Sequence, residues 1–373
     1  MNQGRPVKFG HVARYLLCLF LYYCGILFVA RGLRRLRGKH RLVILAYHSF
    51  SDAVCYLDMA VSPSLFIKQV EYLCKAYRVQ ALSDALATSE RATGVGADTA
   101  VITVDDGYAD NFQPLLQAAT EFAAPSTLYL TTNCIDEREP TAVMWIMLAI
   151  HHATVDSIKL PEIGFGTLCI GTREEKESAI RQIDGCVKLL SPPQRSEVIA
   201  KLVERTGQSQ LIHRLGQSAM LQWNQIRTMH VAGVEIGAHT LTHPTLSRLD
   251  PVAANYEIVA SIRRVKEMVG RETITFAYPY GGEADVSRSV VEACRESGAR
   301  AAVMLVAGDM PGNDLFRIPR VMVTSDLSTS PSGRYSQAMW ACELEGLVGS
   351  VRKLLLPPSR GSTSVHDRYE ANP

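Results

Sequence analysis

Short apolar runs rich in β-branched residues alternate along this chain with segments patterned as helices, and that alternation leaves few folds open. The strand candidates are Leu42–Tyr47 (LVILAY) and residues 100–104, 126–131, 234–236, 273–278 and 301–305. Between them, Ser62-Pro63 opens a helix with Phe66, Val70, Leu73 and Tyr77 at helical spacing, and further helices are expected at 111–122, 223–232, 251–270 and 287–298. Ser62 and Asp250 are good N-caps, Pro63 and Pro251 suit a first helical turn, and Gly270 ends a helix well. Strands that are apolar on both faces and separated by helices belong to a parallel sheet, so the fold class is α/β. In such sheets functional groups collect beyond the carboxyl ends of the strands. Residues 134–220 interrupt the pattern and read as an insertion, helical over 174–207 except at Ser191-Pro192-Pro193.

With 47% hydrophobic and 20% charged residues the chain can bury a large core, and a net charge of +2 gives no reason to expect a nucleic-acid partner. The basic charge is nonetheless uneven. Residues 15–30 (YLLCLFLYYCGILFVA) carry none, while Arg5, Lys8 and Arg14 precede them and Arg31, Arg34, Arg35, Arg37 and Lys39 follow. As a helix this stretch would be roughly 24 Å long, short of a hydrocarbon core of about 30 Å. It is expected to meet a membrane as a short span, a re-entrant segment or an interfacial anchor, with a buried core helix as the alternative. A cleavable signal peptide fits poorly, because Val29-Ala30-Arg31 runs straight into basic residues. Nine cysteines are scattered with no CxxC pair, which fits a reducing compartment. The expected location is a bacterial inner membrane, with flanking charge and cysteine usage leaning to its cytoplasmic face. Three regions follow: a membrane-associating segment at 1–40, a main domain at 41–330, and an extension at 331–373 whose polar tail from Ser359 is expected to be disordered.

Three strand ends carry residues suited to chemistry. Thr103-Val104-Asp105-Asp106-Gly107-Tyr108 places two carboxylates side by side, which repel unless a cation or a shared proton relieves them. A solvated Asp-Asp-Gly turn is the plain alternative. His239-Thr-Leu-Thr-His243-Pro244 spaces two imidazoles so that they can converge on one ion, in a loop because Pro244 disfavours helix at His243. Two unrelated histidines would give the same spacing. Taken together, a His-His-carboxylate set suits zinc or a similar divalent ion and leaves one aspartate free to act as a base. Finally, the stretch Phe276-Ala-Tyr-Pro-Tyr280-Gly-Gly282 could form a sugar-stacking wall with exposed backbone N–H groups, or an ordinary turn.

In this order, the three segments resemble the first three motifs of the NodB-homology polysaccharide deacetylases, carbohydrate esterase family four, across residues 41–325. The resemblance implies a distorted (β/α) barrel of about seven parallel strands, a divalent metal that is most commonly zinc, and hydrolysis of N-acetyl groups on an amino-sugar polysaccharide or lipid-linked glycan. Carried over by motif position, Asp106, His239 and His243 resemble the metal ligands, Asp105 the catalytic base and the Tyr280 backbone N–H the oxyanion donor.

Two family features are missing. Ala277 stands where the family has an arginine, and no leucine–x–histidine motif follows, since the only histidine after residue 305 is His366. Arg317-Ile-Pro-Arg320 and Tyr47-His48 instead resemble a branch associated with exopolysaccharide synthesis, in which the motifs look circularly permuted. That implies His48 as the general acid and Arg317 or Arg320 as the group orienting Asp105; a structural histidine and structural salt bridges are the alternatives. An O-acetyl esterase, or a non-catalytic carbohydrate-binding scaffold, would share these motifs. Phosphoryl-transfer and nucleotide enzymes are disfavoured by the lack of a Walker loop or dinucleotide fingerprint.

Overall fold

The computed structural model describes residues 9–52, 59–91, 97–306 and 314–349. One sheet dominates, and every pairing in it is parallel. Its order is Ile318–Pro319, Ala302–Met304, Phe276–Ala277, Glu235–Ala238, Thr127–Leu130, Thr99–Val104, Leu42–Tyr47 and Val321–Met322, with Arg78–Gln80 branching from Thr99–Val104. The two ends of that path are one stretch of chain, separated by Arg320 alone. Its first half pairs with Ala302–Met304 and its second with Leu42–Tyr47, so the sheet comes round on itself. Counting 318–322 as one strand, the barrel has seven, as the resemblance implied. The strand expected at 273–278 is shorter, Phe276–Ala277, and at its C-terminal end Pro279 has no N–H with which to extend the ladder.

Alternation along the strands divides side chains between two faces. Ile44, Val101, Tyr129, Ala277, Val303 and Ile318 form one apolar cluster inside the barrel, closed below by Leu82, Ala85 and Leu86 from the helix Leu82–Arg91. Their neighbours, among them Leu45, Ile102, Leu128, Ile236 and Phe276, pack outward against the surrounding helices. Ser62 caps the helix Pro63–Ala76 by accepting from the Leu65 N–H at 3.2 Å, and Asp250 caps Pro251–Val269 in the same manner.

The insertion folds as a unit beside the barrel. Helices Ala142–His152, Arg173–Val187, Pro192–Arg205 and Ser209–Gln217, with a hairpin of Ser157–Leu160 and Phe165–Cys169, bury a second apolar cluster around Ile146, Ile180, Ile183 and Leu202. At the N-terminus, helices Phe9–Tyr23 and Ile26–Leu36 are bent by 63° at Gly25, whose φ is 76°. Cys18, Leu21 and Leu27 are buried in the main core, which also takes in Met339, Trp340 and Cys342 of the helix Gln337–Leu344. No single helix among the described residues is long and apolar enough to cross a membrane. All eight described cysteines are free thiols, and the tail from Ser359 lies outside the described residues.

Gly237 makes the barrel interior possible. A Cβ there would stand 2.5 Å from the Tyr129 ring and 2.8 Å from the Thr275 carbonyl oxygen. Gly237→Ala should therefore lower unfolding stability by about 1–3 kcal/mol, the range for overpacking a filled core. Urea denaturation measures this directly; an unchanged midpoint would show that the ring has room to move.

Candidate active site

The residues singled out above gather at the carboxyl end of the barrel. Leu42–Tyr47 runs into His48, Thr99–Val104 into Asp105 and Asp106, and Glu235–Ala238 into His239. The register is fixed by backbone bonds across the rim: Asp105 N–H donates to the Tyr47 carbonyl at 3.0 Å and His239 N–H to that of Leu130 at 2.9 Å.

Asp106, His239 and His243 each aim one ligand atom at a common point, with all three atoms within 4.8 Å of one another. Asp106 Oδ1 lies 3.5 Å from His239 Nε2 and 3.3 Å from His243 Nε2. All three residues are buried, and no described residue donates a hydrogen bond to Asp106 Oδ1. His239 Nδ1 lies 2.7 Å from the Ala277 carbonyl oxygen, which requires the proton on Nδ1 and leaves Nε2 as a lone pair facing the aspartate. Burial, then the charge of Asp105, pushes the Asp106 carboxyl up to about 7. A carboxylate oxygen without a donor, beside the Nε2 atoms of two imidazoles, is the donor set of a divalent-cation site, and the residues fit zinc.

Backbone strain is concentrated at the same place. Six described non-glycine residues have positive φ, and four of them are Asp106 (73°), Thr240 (65°), His243 (56°) and Tyr280 (59°). Each such residue costs on the order of 1–3 kcal/mol and persists only where its surroundings enforce it. For the histidine loop those surroundings are explicit. Glu257, on the helix Pro251–Val269, accepts from the N–H groups of Leu241 and Thr242 at 2.8 and 3.0 Å. Arg195, from the insertion, donates to the carbonyls of His243 and Thr242 at 3.1 and 3.2 Å. Neither residue was singled out from the sequence, since each reaches the site from a distant segment with no local motif.

Asp105 has the opposite fate to its neighbour. Arg320 donates to both its oxygens at 2.7 Å and to Thr103 Oγ1 at 2.9 Å, and the guanidinium is fully buried. Burial alone would raise the Asp105 carboxyl, but Arg320 outweighs it and holds the group well below the usual range. Arg317 does not share this task. It is partly exposed and lies 3.8 Å from Glu283, so of the two arginines Arg320 is the one in contact with Asp105. His48 Nε2 stands 3.8 Å from Asp105 Oδ2, and burial lowers its imidazole to about 4 despite the attraction of Asp105. In the aromatic segment, Phe276 and Tyr278 belong to the core and offer no sugar-facing wall. Tyr280 alone lines the site, its ring 5.0 Å from that of His243, and no described residue accepts from its backbone N–H.

Residues 184–302 match the sequence model of the polysaccharide deacetylases, a stretch that holds His239, His243 and Tyr280 but not Asp105 and Asp106. No curated protein matches the sequence. Among solved structures, the deacetylase PplD of Streptococcus pyogenes, determined with acetate, superposes with a TM-score of 0.51 at 15% identity, covering 79% of this chain and 96% of that one. IcaB from Ammonifex degensii gives a TM-score of 0.48 at 18% identity over 81% and 97% of the two chains. The barrel is thus the fold of the deacetylase PplD, and residues 184–302 are similar in sequence to polysaccharide deacetylases.

A metal-free preparation exposes the cost of the unpaired Asp106. Folded, its carboxyl keeps a proton up to about 7, whereas the reference value is 3.8. Between these limits the folded state binds the extra proton, so this residue's contribution to stability falls as pH rises. Asp106→Asn should therefore gain on the metal-free parent steadily from pH 4 to pH 7, reaching roughly a few kcal/mol. Zinc should then stabilise only the parent. A difference between the two proteins that does not change with pH would contradict the assignment.

Proposed function

We propose that this chain is a metal-dependent hydrolase that removes N-acetyl groups from an amino-sugar polysaccharide or a lipid-linked glycan. The observation that carries this reading is the convergence of Asp106, His239 and His243 on one point, with a buried carboxylate oxygen that has no donor among the described residues. Those three residues would hold the ion, zinc being the best match to two imidazoles and a carboxylate. When bound, it supplies Lewis-acid activation of water and of the acetyl carbonyl.

The remaining chemistry belongs to the chain's own groups. Asp105, kept ionised and fixed by Arg320, accepts the proton of the attacking water on a carboxylate oxygen. The Tyr280 N–H is available to donate to the carbonyl oxygen as negative charge builds there. His48 is neutral at neutral pH, so it is not a standing acid. Its place beside Asp105 supports a relay in which the proton taken up by Asp105 passes to His48 Nε2 and from there to the departing sugar nitrogen. Arg320 favours that transfer, because it makes the protonated form of Asp105 unfavourable.

The same neutral His48 favours a second reading, an esterase for O-acetyl groups, whose alcohol leaves with less help from an acid than an amine does. Acetate release from matched N-acetylated and O-acetylated glycans separates the two. For the N-acetyl reading, Asp105→Asn and His48→Ala should each lower turnover by about 10²–10⁴-fold while metal content stays unchanged. A His48→Ala protein with full turnover removes that residue from the proton path. A wild-type protein that binds metal yet releases no acetate from either substrate would be a carbohydrate-binding scaffold.

A further inference from the structure

The two N-terminal helices are amphipathic in an unusual sense. Leu16, Phe20 and Tyr23 on the first, and Val29, Leu33 and Leu36 on the second, are 49–85% exposed and recur at the three- and four-residue spacing of a single helix face. The arginines point the other way. Arg31 reaches Glu345 at 3.0 Å, Arg34 reaches both Glu345 and Asp98, and Arg35 reaches Asp98 at 2.7 Å. These helices therefore turn part of their charge toward the protein and their leucines outward, the reverse of a surface helix in water.

Beside the end of the second helix lies a cavity of about 380 Å³ bordered by Arg35, His40, Lys75 and Arg78. Its one carboxylate, Asp98, is already held by Arg34, Arg35 and the Arg41 N–H. No acidic partner is seen for Lys75 or Arg78 among the described residues. Exposed apolar helix faces, with cations that lack acidic partners at the end of the second helix, complement a surface made of acyl chains under a layer of phosphate groups. A second copy of the chain fits less well, since a twofold contact would bring the same positive edge near itself. By length and composition the two helices together could form a broken span, bent by 63°, but Cys18, Leu21 and Leu27 are packed into the main core, which leaves one face of each helix for a bilayer.

We propose that the exposed faces of both N-terminal helices lie in the headgroup–acyl boundary of an anionic phospholipid bilayer, with the cavity at Arg35, His40, Lys75 and Arg78 receiving a lipid phosphate. The barrel is then tethered at the membrane surface through a pair of helices whose opposite side is part of its own core. This inference does not depend on the hydrolase reading.

Co-sedimentation of the full chain with vesicles tests it, comparing phosphatidylglycerol–phosphatidylcholine mixtures with phosphatidylcholine alone. The wild-type protein should pellet with the mixture. Phe20→Glu with Leu33→Glu should weaken binding to both vesicle types by about tenfold or more, since two apolar side chains lose their burial. Lys75→Glu with Arg78→Glu should weaken binding to the anionic vesicles selectively. All four positions are exposed and outside the active site, so thermal melting and acetate release from a soluble substrate should not change. A wild-type protein that stays in the supernatant, or a Phe20→Glu, Leu33→Glu protein that pellets like the parent, overturns the proposal. So does a wild-type dimer that ignores vesicles and that the same two substitutions convert to monomer.

Discussion

The barrel closes through five residues, 318–322, that pair with a different strand on each side, and this closure drives Arg320 into the interior. Ile318 and Arg320 are two apart and share the inward face, while Arg317 points away. A buried guanidinium must find acceptors, and it finds both oxygens of Asp105, Thr103 Oγ1 and the Met304 carbonyl. Sheet closure and the chemistry of the site are thus one interaction. Without the arginine, Asp105 would be a second uncompensated carboxylate in a dry pocket. Without the aspartate, the barrel would close on an unpaired cation.

That pairing is what allows two adjacent aspartates to differ. Arg320 satisfies Asp105 and lowers its proton affinity, and the charge so fixed helps to raise that of Asp106. The second carboxylate faces the Nε2 atoms of two buried imidazoles, so a proton or a cation must balance it. The left-handed backbone at Asp106, Thr240, His243 and Tyr280 shows that the arrangement is imposed rather than relaxed into. Glu257 and Arg195 do the imposing at the histidine loop. Because Arg195 belongs to the insertion, that unit buttresses the site as well as flanking it.

Much of this was legible in the sequence, for identifiable reasons. The apolar runs at 42–47 and 100–104 are long enough to be strands, and His48, Asp105, Asp106 and His239 follow their strands directly. The closing strand escaped notice because each half is only two residues long and one half contains proline. Alternation from the buried Ile318 is the signal that could have separated Arg320 from Arg317. Glu257 and Arg195 left no trace, since side chains that hold a loop from a distant helix obey no local spacing. The N-terminal segment was read from its lack of charge, yet the sequence did not reveal that Cys18, Leu21 and Leu27 would be buried while Leu16, Phe20 and Leu33 stayed exposed. That division depends on the helix Gln337–Leu344, which arrives from the other end of the chain.

The central claim is that one aspartate is reserved for the arginine and the other for a cation. An anomalous-diffraction experiment on crystals grown with zinc tests this most directly. The account predicts a single strong peak bonded to Asp106 Oδ1, His239 Nε2 and His243 Nε2 at about 2.0–2.2 Å, with Arg320 still bidentate on Asp105. Zinc found on Asp105, or no peak at the two imidazoles, would contradict it.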